Sequence, residues 1–288
     1  MFSGTLVALA TPFNDGQVDW KKLDELVDFQ LAEGTDGIVP MGTTGESPTL
    51  SHPEHERVIE AVVKRVGGKV PVVAGTGSNS TSEAIHLTSF AQKVGADGAL
   101  VVNPYYNKPT QQGLYEHFKT VADEVDIPII LYNIPGRCGV ALSMETICRL
   151  AEIKNIVGIK EATGVLDVSS EIATSCDLTI LSGDDSLTLP IMAVGGKGVI
   201  SVAANIVPTE VRKLTSDMLA GNITKATAQH QKLFKLFKAM FIETNPIPVK
   251  TALALMGKCR EEFRLPMCRM SPANKEKLTE VLREYKLI

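Results

Sequence analysis

Residues 127–133 read Ile-Pro-Ile-Ile-Leu-Tyr-Asn, and residues 156–160 read Ile-Val-Gly-Ile-Lys. Both are short, continuous apolar runs that end on a polar side chain. Unbroken runs of this kind fit parallel strands covered on both faces better than strands with one wet face. Between them, Ser143–Glu152 carries apolar residues at helical spacing. Working outward, the unit recurs. Runs at Thr5–Thr11, Asp36–Met41, Val70–Ala74 and Asp97–Asn103 come before, and Leu178–Ser182 and Gly198–Val202 come after. Amphipathic stretches separate them at Asp19–Glu33, Ser51–Val66, about Ser80–Val94 and Thr110–Val125. Ser51 followed by Pro53 reads as a capped helix start. Ser80 with Glu83 three residues later reads as a capping box.

Eight such strand runs with helical crossovers predict an α/β fold, a (β/α)8 TIM barrel, in preference to an open doubly wound sheet. The remaining stretches, Pro208–Ala220, Ile223–Ile242, Pro248–Met256 and Ser271–Tyr285, read as helices without strands. With no Pro/Ser-rich linker, the expected division is a catalytic barrel over residues 1–222 and a C-terminal helical extension over 223–288 packed on it.

Composition excludes other classes. The 288 residues are 44% hydrophobic and 22% charged, with a formal charge of −4. A weakly acidic chain without a basic run is not built to wrap nucleic acid. The apolar run at Thr5–Phe13 lacks a basic flank, since the first basic residue is Lys21, and no stretch reaches the ~18 apolar residues of a membrane span. The five cysteines, Cys138, Cys148, Cys176, Cys259 and Cys268, form no CxxC pair, so reduced thiols and a cytoplasmic location are expected.

In a parallel barrel the chemistry sits at the C-terminal ends of the strands. That rule alone gathers Gly42-Thr43-Thr44-Gly45-Glu46-Ser47, Asn103-Pro104-Tyr105-Tyr106-Asn107, Tyr132-Asn133 with Pro135-Gly136-Arg137, Lys160-Glu161 and Gly183-Asp184-Asp185 on one rim. Lys160 closes an apolar strand. Burial there disfavours the ammonium form, and a neutral amine attacks carbonyls to form a Schiff base. A lysine that reaches solvent, or pairs with Glu161, is the plainer alternative. Tyr132, on the preceding strand, reads either as an interior aromatic or as an acid–base group beside that amine. Thr43 and Thr44 read as turn residues bonded to their own backbone or as hydroxyls that hold a carboxylate. Arg137 reads as a solvated loop arginine or as a carboxylate fork.

Other signals are weaker. His52 and His55 have a possible metal spacing but no third ligand, so no metal site is expected. Gly75-Thr76-Gly77 lacks the last glycine of a dinucleotide fingerprint. Gly195-Gly196-Lys197-Gly198 precedes a strand, the wrong end of a barrel for phosphate. Glu46 and Glu161 could form a glycosidase pair, but 5% aromatic content leaves few sugar platforms.

Taken together, Gly42–Ser47, Asn103–Tyr106, Tyr132–Arg137, Gly158-Ile159-Lys160-Glu161-Ala162-Thr163-Gly164, Ser182–Asp185 and Gly198–Val202 resemble the dihydrodipicolinate synthase family. That family sits within the pyruvate-dependent Schiff-base aldolases and lyases. The resemblance implies condensation of pyruvate with L-aspartate 4-semialdehyde to 4-hydroxy-tetrahydrodipicolinate, a step of lysine and diaminopimelate biosynthesis. It implies that Lys160 forms the imine and Tyr132 moves protons. Thr43 would link Tyr132 to Tyr106 of a neighbouring subunit. It implies that Thr44 and the backbone near Ile200 hold the pyruvate carboxylate, that Arg137 receives the semialdehyde carboxylate, and that Gly183 lines the substrate site. Because the imine is the electron sink, no cofactor is required. The family is typically tetrameric, and some members are inhibited by lysine. Ser47, His52, His55, Asn79, Glu83 and Tyr105 resemble that regulatory site, with Pro48 replacing a common alanine. The rivals are a sister aldolase, such as N-acetylneuraminate lyase or a 2-keto-3-deoxy sugar-acid aldolase, and a non-catalytic barrel that binds a keto acid.

Overall fold

The computed structural model describes residues 2–288. Its strands are β1 (Gly4–Ala8), β2 (Phe13–Asn14), β3 (Gln17–Val18), β4 (Gly37–Val39), β5 (Val73–Gly75), β6 (Gly98–Val102), β7 (Ile129–Asn133), β8 (Ile156–Glu161), β9 (Thr179–Ser182) and β10 (Gly198–Ser201). β2 and β3 form a small antiparallel hairpin, and the other eight make one parallel sheet in the order β4-β1-β10-β9-β8-β7-β6-β5. The two ends of that order meet. Ile38 bridges Val72 in parallel, Ile38 N–H donates to Pro71 O at 3.0 Å, and Gly75 N–H donates to Pro40 O at 2.9 Å. Eight strands and this seam close the TIM barrel that the apolar runs predict.

Two strands start later than their apolar runs because of proline. Pro71 and Pro128 have no N–H to give the ladder, so the strands begin only at Val73, after the single bridge at Val72, and at Ile129, while the carbonyls of Pro71 and Pro128 still accept from Ile38 and Ala99. Alternate strand residues point inward. Leu6, Ala8, Val39, Val73, Leu100, Ile130, Tyr132, Leu181 and Ile200 fill the barrel interior. Their neighbours, such as Ala99, Val101, Ile129, Leu131 and Ile159, pack outward under the helices. Both faces are therefore apolar, which is why no alternation is seen in the sequence.

The helix starts separate a correct expectation from an incorrect one. Ser51 and Glu54 form a full capping box at the helix His52–Val66. The box expected at Ser80 and Glu83 is absent. The helix Thr81–Lys93 begins at Ser80 without a side-chain cap, and Glu83 instead accepts from Ser78 Oγ at 2.7 Å. Ser78 Oγ also accepts from the Ser80 N–H at 3.1 Å, and Ser80 Oγ pairs with Ser82 Oγ at 3.0 Å, so both partners of the expected box are engaged elsewhere.

The helix Pro208–Leu219 lies against β1, where Thr215 and Thr5 share a hydroxyl hydrogen bond of 2.9 Å. Helices Ile223–Ala239, Ile247–Leu255 and Pro272–Glu284 follow. Their buried residues Leu236, Phe237, Val249, Leu253, Leu278 and Leu282 join the same apolar cluster as Val27, Ile38 and Val62. Among the described residues, no helix is long and apolar enough to cross a membrane.

Candidate active site

Strand register brings the two central side chains together. Tyr132 on β7 is directly opposite Lys160 on β8. Both project inward onto one cavity. Lys160 Nζ lies 4.1 Å from the centre of the Tyr132 ring. Lys160 is 6% exposed and forms no ion pair among the described residues. Glu161, its chain neighbour, points the other way and accepts from Asn133 Nδ2 and Thr163 N–H. The alternative pairing of Lys160 with Glu161 is therefore not what the structure contains.

Burial pushes the Lys160 ammonium down to about 7, with nearby Asp185 opposing the shift and Arg137 assisting it. Burial pushes the Tyr132 phenol up to about 12, against the pull of Arg137 and Thr43. At neutral pH the site thus combines an amine that readily loses its proton with a phenol that keeps one. Asp185 is itself buried, which raises its carboxyl to about 6. It accepts from Ser201 Oγ and from the N–H groups of Val202 and Ala203, each at 3.0 Å, and so ties the end of β9 to the end of β10.

Lys160 and Tyr132 line a small cavity of about 40 Å³ with Thr43, Thr44, Arg137, Gly183 and Ile200. Phe241 and Asn245 close it from the C-terminal segment. The threonines ride on a tight turn, in which Gly45 N–H donates to Gly42 O and Glu46 N–H to Thr43 O, each at 3.1 Å. Arg137 sits on a short helical turn, Pro135–Cys138, rather than the open loop expected, and its Nη2 donates to the Asn245 carbonyl at 3.0 Å.

A second cavity of about 550 Å³ adjoins the first and shares Gly42, Thr43, Tyr132, Ile134 and Arg137 with it. Ser47, Pro48, His52, His55, Glu83 and Tyr105 line its outer part. His55 is buried and bonded through Nε2 to Gly75 O at 2.8 Å, and burial lowers it to about 4. Asn79 is not in the lining; its Nδ2 donates to the Tyr105 carbonyl at 3.1 Å. Tyr106 lines neither cavity and is 89% exposed, with a left-handed φ of 72°. Glu46, half of the glycosidase alternative, pairs with Lys250 away from both cavities.

Asn245 and Phe241 are the residues that the strand-end rule misses. The rule looks only at loops after strands, and these two come from the segment between helices Ile223–Ala239 and Ile247–Leu255. The one signal for Asn245 is the Asn245-Pro246 dipeptide, a turn marker that says nothing about where the turn is placed.

The family model for the dihydrodipicolinate synthetase family matches residues 1–285. A 4-hydroxy-tetrahydrodipicolinate synthase from Geotalea daltonii is 60% identical, with all of both chains covered. The crystal structure of dihydrodipicolinate synthase from Aquifex aeolicus superposes with a TM-score of 0.98 at 58% identity, covering 99% of each chain. That of the chloride-inhibited enzyme from Acinetobacter baumannii, complexed with pyruvate, does so with a TM-score of 0.98 at 44% identity over all of both chains. A matching fold at these identities extends from end to end and includes every strand that carries a site residue, and the chain belongs to the dihydrodipicolinate synthetase family.

Proposed function

We propose that this protein is a lyase that condenses pyruvate with L-aspartate 4-semialdehyde to 4-hydroxy-tetrahydrodipicolinate, the reaction that serves lysine and diaminopimelate synthesis. The observation that carries this reading is the buried Lys160 amine beneath Tyr132, unpaired among the described residues and lowered to about 7. In its neutral form Lys160 Nζ attacks the pyruvate keto carbon, and loss of water gives the imine. Thr44 and the backbone at Ile200 hold the pyruvate carboxylate. The protonated imine then draws electrons from the methyl group, which loses a proton and becomes the enamine carbon. That carbon adds to the aldehyde of the second substrate, whose carboxylate rests on the Arg137 fork. The substrate's own amine finally attacks the imine carbon and displaces Lys160 as the ring closes. Tyr132, protonated at neutral pH, donates and recovers protons through Thr43 and a neighbouring subunit's Tyr106.

The rival aldolases share the imine and differ in the aldehyde. Arg137, held at the mouth by the Asn245 carbonyl, favours a small acidic aldehyde over a polyhydroxylated one. Turnover of pyruvate is expected with L-aspartate 4-semialdehyde and not with a sugar aldehyde. The reverse selectivity assigns the chain to a sister aldolase, and binding without turnover assigns it to a sensor.

We further propose that residues 1–222 act as the catalytic barrel and 223–288 as an extension that completes it, which the lining by Phe241 and Asn245 supports. A homotetramer in which Tyr106 reaches a neighbour's site accounts for an aromatic side chain left almost wholly exposed. Lysine is proposed as a ligand of the larger cavity, its ammonium on Glu83 and its stem under Tyr105. Titration calorimetry is expected to register heat at millimolar lysine; a flat titration removes this part of the proposal.

A further inference from the structure

Glu46 occupies an unusual position. It follows the Thr43-Thr44-Gly45 turn, and its backbone is left-handed, with φ 54° and ψ 34°. A residue with a Cβ holds that conformation only when its surroundings over-determine it. Here its N–H closes the turn on Thr43 O at 3.1 Å, and its carbonyl accepts from Thr49 N–H at 2.9 Å and from Thr49 Oγ1 at 3.0 Å. Glu46 is only 2% exposed, and its side chain is bonded at both oxygens. Oε1 takes Lys250 Nζ, and Oε2 takes the N–H of Arg264 at 3.2 Å.

Lys250 is 0% exposed and lies in the middle of the helix Ile247–Leu255. Its ammonium also rests over the Phe13 ring at 4.1 Å and near the Phe263 ring at 5.0 Å. Such a pair is a poor source of net stability, because both charges give up water. What it does supply is direction, since a single carboxylate and a single ammonium fix one docking register. Just ahead of that helix, Asn245 Nδ2 donates to Thr44 Oγ1 at 3.1 Å, and its carbonyl receives Arg137. A shift of the helix would therefore carry Thr44 and Arg137 with it. Nothing else in the catalytic proposal uses Glu46 or Lys250.

We infer that the buried Lys250–Glu46 pair is a positioning device, locking the helix Ile247–Leu255 onto the Gly42–Ser47 turn so that Thr44 and Arg137 are presented together to the two carboxylate-bearing substrates. The inference rests on the substrate reading given under Proposed function. Neither residue touches substrate; both act through Thr44 and Asn245.

The test compares wild type, Lys250→Met and the double variant Glu46→Gln/Lys250→Met. Lys250→Met strands a buried carboxylate, and its melting temperature is expected to fall by about 10 °C. The double variant removes both charges and is expected to recover most of that loss. Its KM values for pyruvate and for the semialdehyde are expected to stay raised together by about tenfold, with kcat within about threefold of wild type, as misplaced holding groups require. A double variant that melts like wild type and also has wild-type KM values overturns the inference, because the pair is then only structural. If neither variant folds, hydrogen exchange in wild type decides. Amides of 42–47 and 247–252 are expected to open as one unit and to be protected together by pyruvate. Independent opening of the two segments overturns the inference. Wild type without turnover on these substrates would instead overturn the substrate reading.

Discussion

Replacing Lys160 with methionine is expected to abolish turnover, by at least about 10³-fold, while leaving the fold intact. Among the described residues, the substitution removes the only amine that lines the cavity, and loss of a covalent nucleophile is among the largest single effects an enzyme shows. Methionine is also close in volume and apolar, so it suits a pocket walled by Ala8, Val39, Leu100 and Ile200. Steady-state kinetics and far-ultraviolet circular dichroism together read both halves of the expectation. In wild type, the same amine sets a pH signature. Its conjugate acid is held at about 7, so the reactive neutral form grows as pH rises through that value and is complete above it. The rate of imine formation should thus climb about tenfold between pH 6 and a plateau near pH 8. An amine in contact with solvent would keep gaining reactivity up to its ordinary range near pH 10.

Tyr132→Phe should be the next most damaging change. Phenylalanine preserves the ring that lies 4.1 Å from Lys160 Nζ and removes only the hydroxyl. Loss of one positioned acid–base group costs about 10²–10⁴ in rate. Because burial raises the phenol to about 12, it is protonated throughout the working range, so its absence should slow the steps that need a proton delivered: water loss from the carbinolamine and ring closure. Stopped-flow measurement of imine formation and of product release would resolve the two. Unchanged rates in both would remove Tyr132 from the mechanism and leave the proton to solvent.

The barrel was legible because its strands are covered on both sides. Runs such as Ile-Ile-Leu-Tyr-Asn and Ile-Val-Gly-Ile-Lys carry the fold in their unbroken apolar character, and position at a strand end then places Tyr132 and Lys160 among the residues of one rim. The errors were local competitions. Pro71 and Pro128 delayed two strands because they lack a donor, and Ser78 took the carboxylate that Ser80 was expected to share. What sequence did not reveal was long-range closure. Asn245 reaches Thr44 across 201 positions, and Lys250 reaches Glu46 across 204. No periodicity or spacing rule encodes such a partner. A carboxylate at a strand end, such as Glu46, leaves a disfavoured glycosidase alternative open until its neighbour is known. The buried lysine that pairs with it lies in a helix, Ile247–Leu255, that is otherwise apolar apart from Thr251.

The central claim is that Lys160 Nζ becomes bonded to the keto carbon of pyruvate. Incubating the protein with pyruvate, adding borohydride and mapping the digested peptides by mass spectrometry tests this most directly. The account predicts one reduced pyruvyl group per chain, on the peptide that contains Lys160 and on no other, and none when pyruvate or borohydride is omitted. An unmodified Lys160 peptide, or a label at Lys250 or at a surface lysine instead, would contradict it.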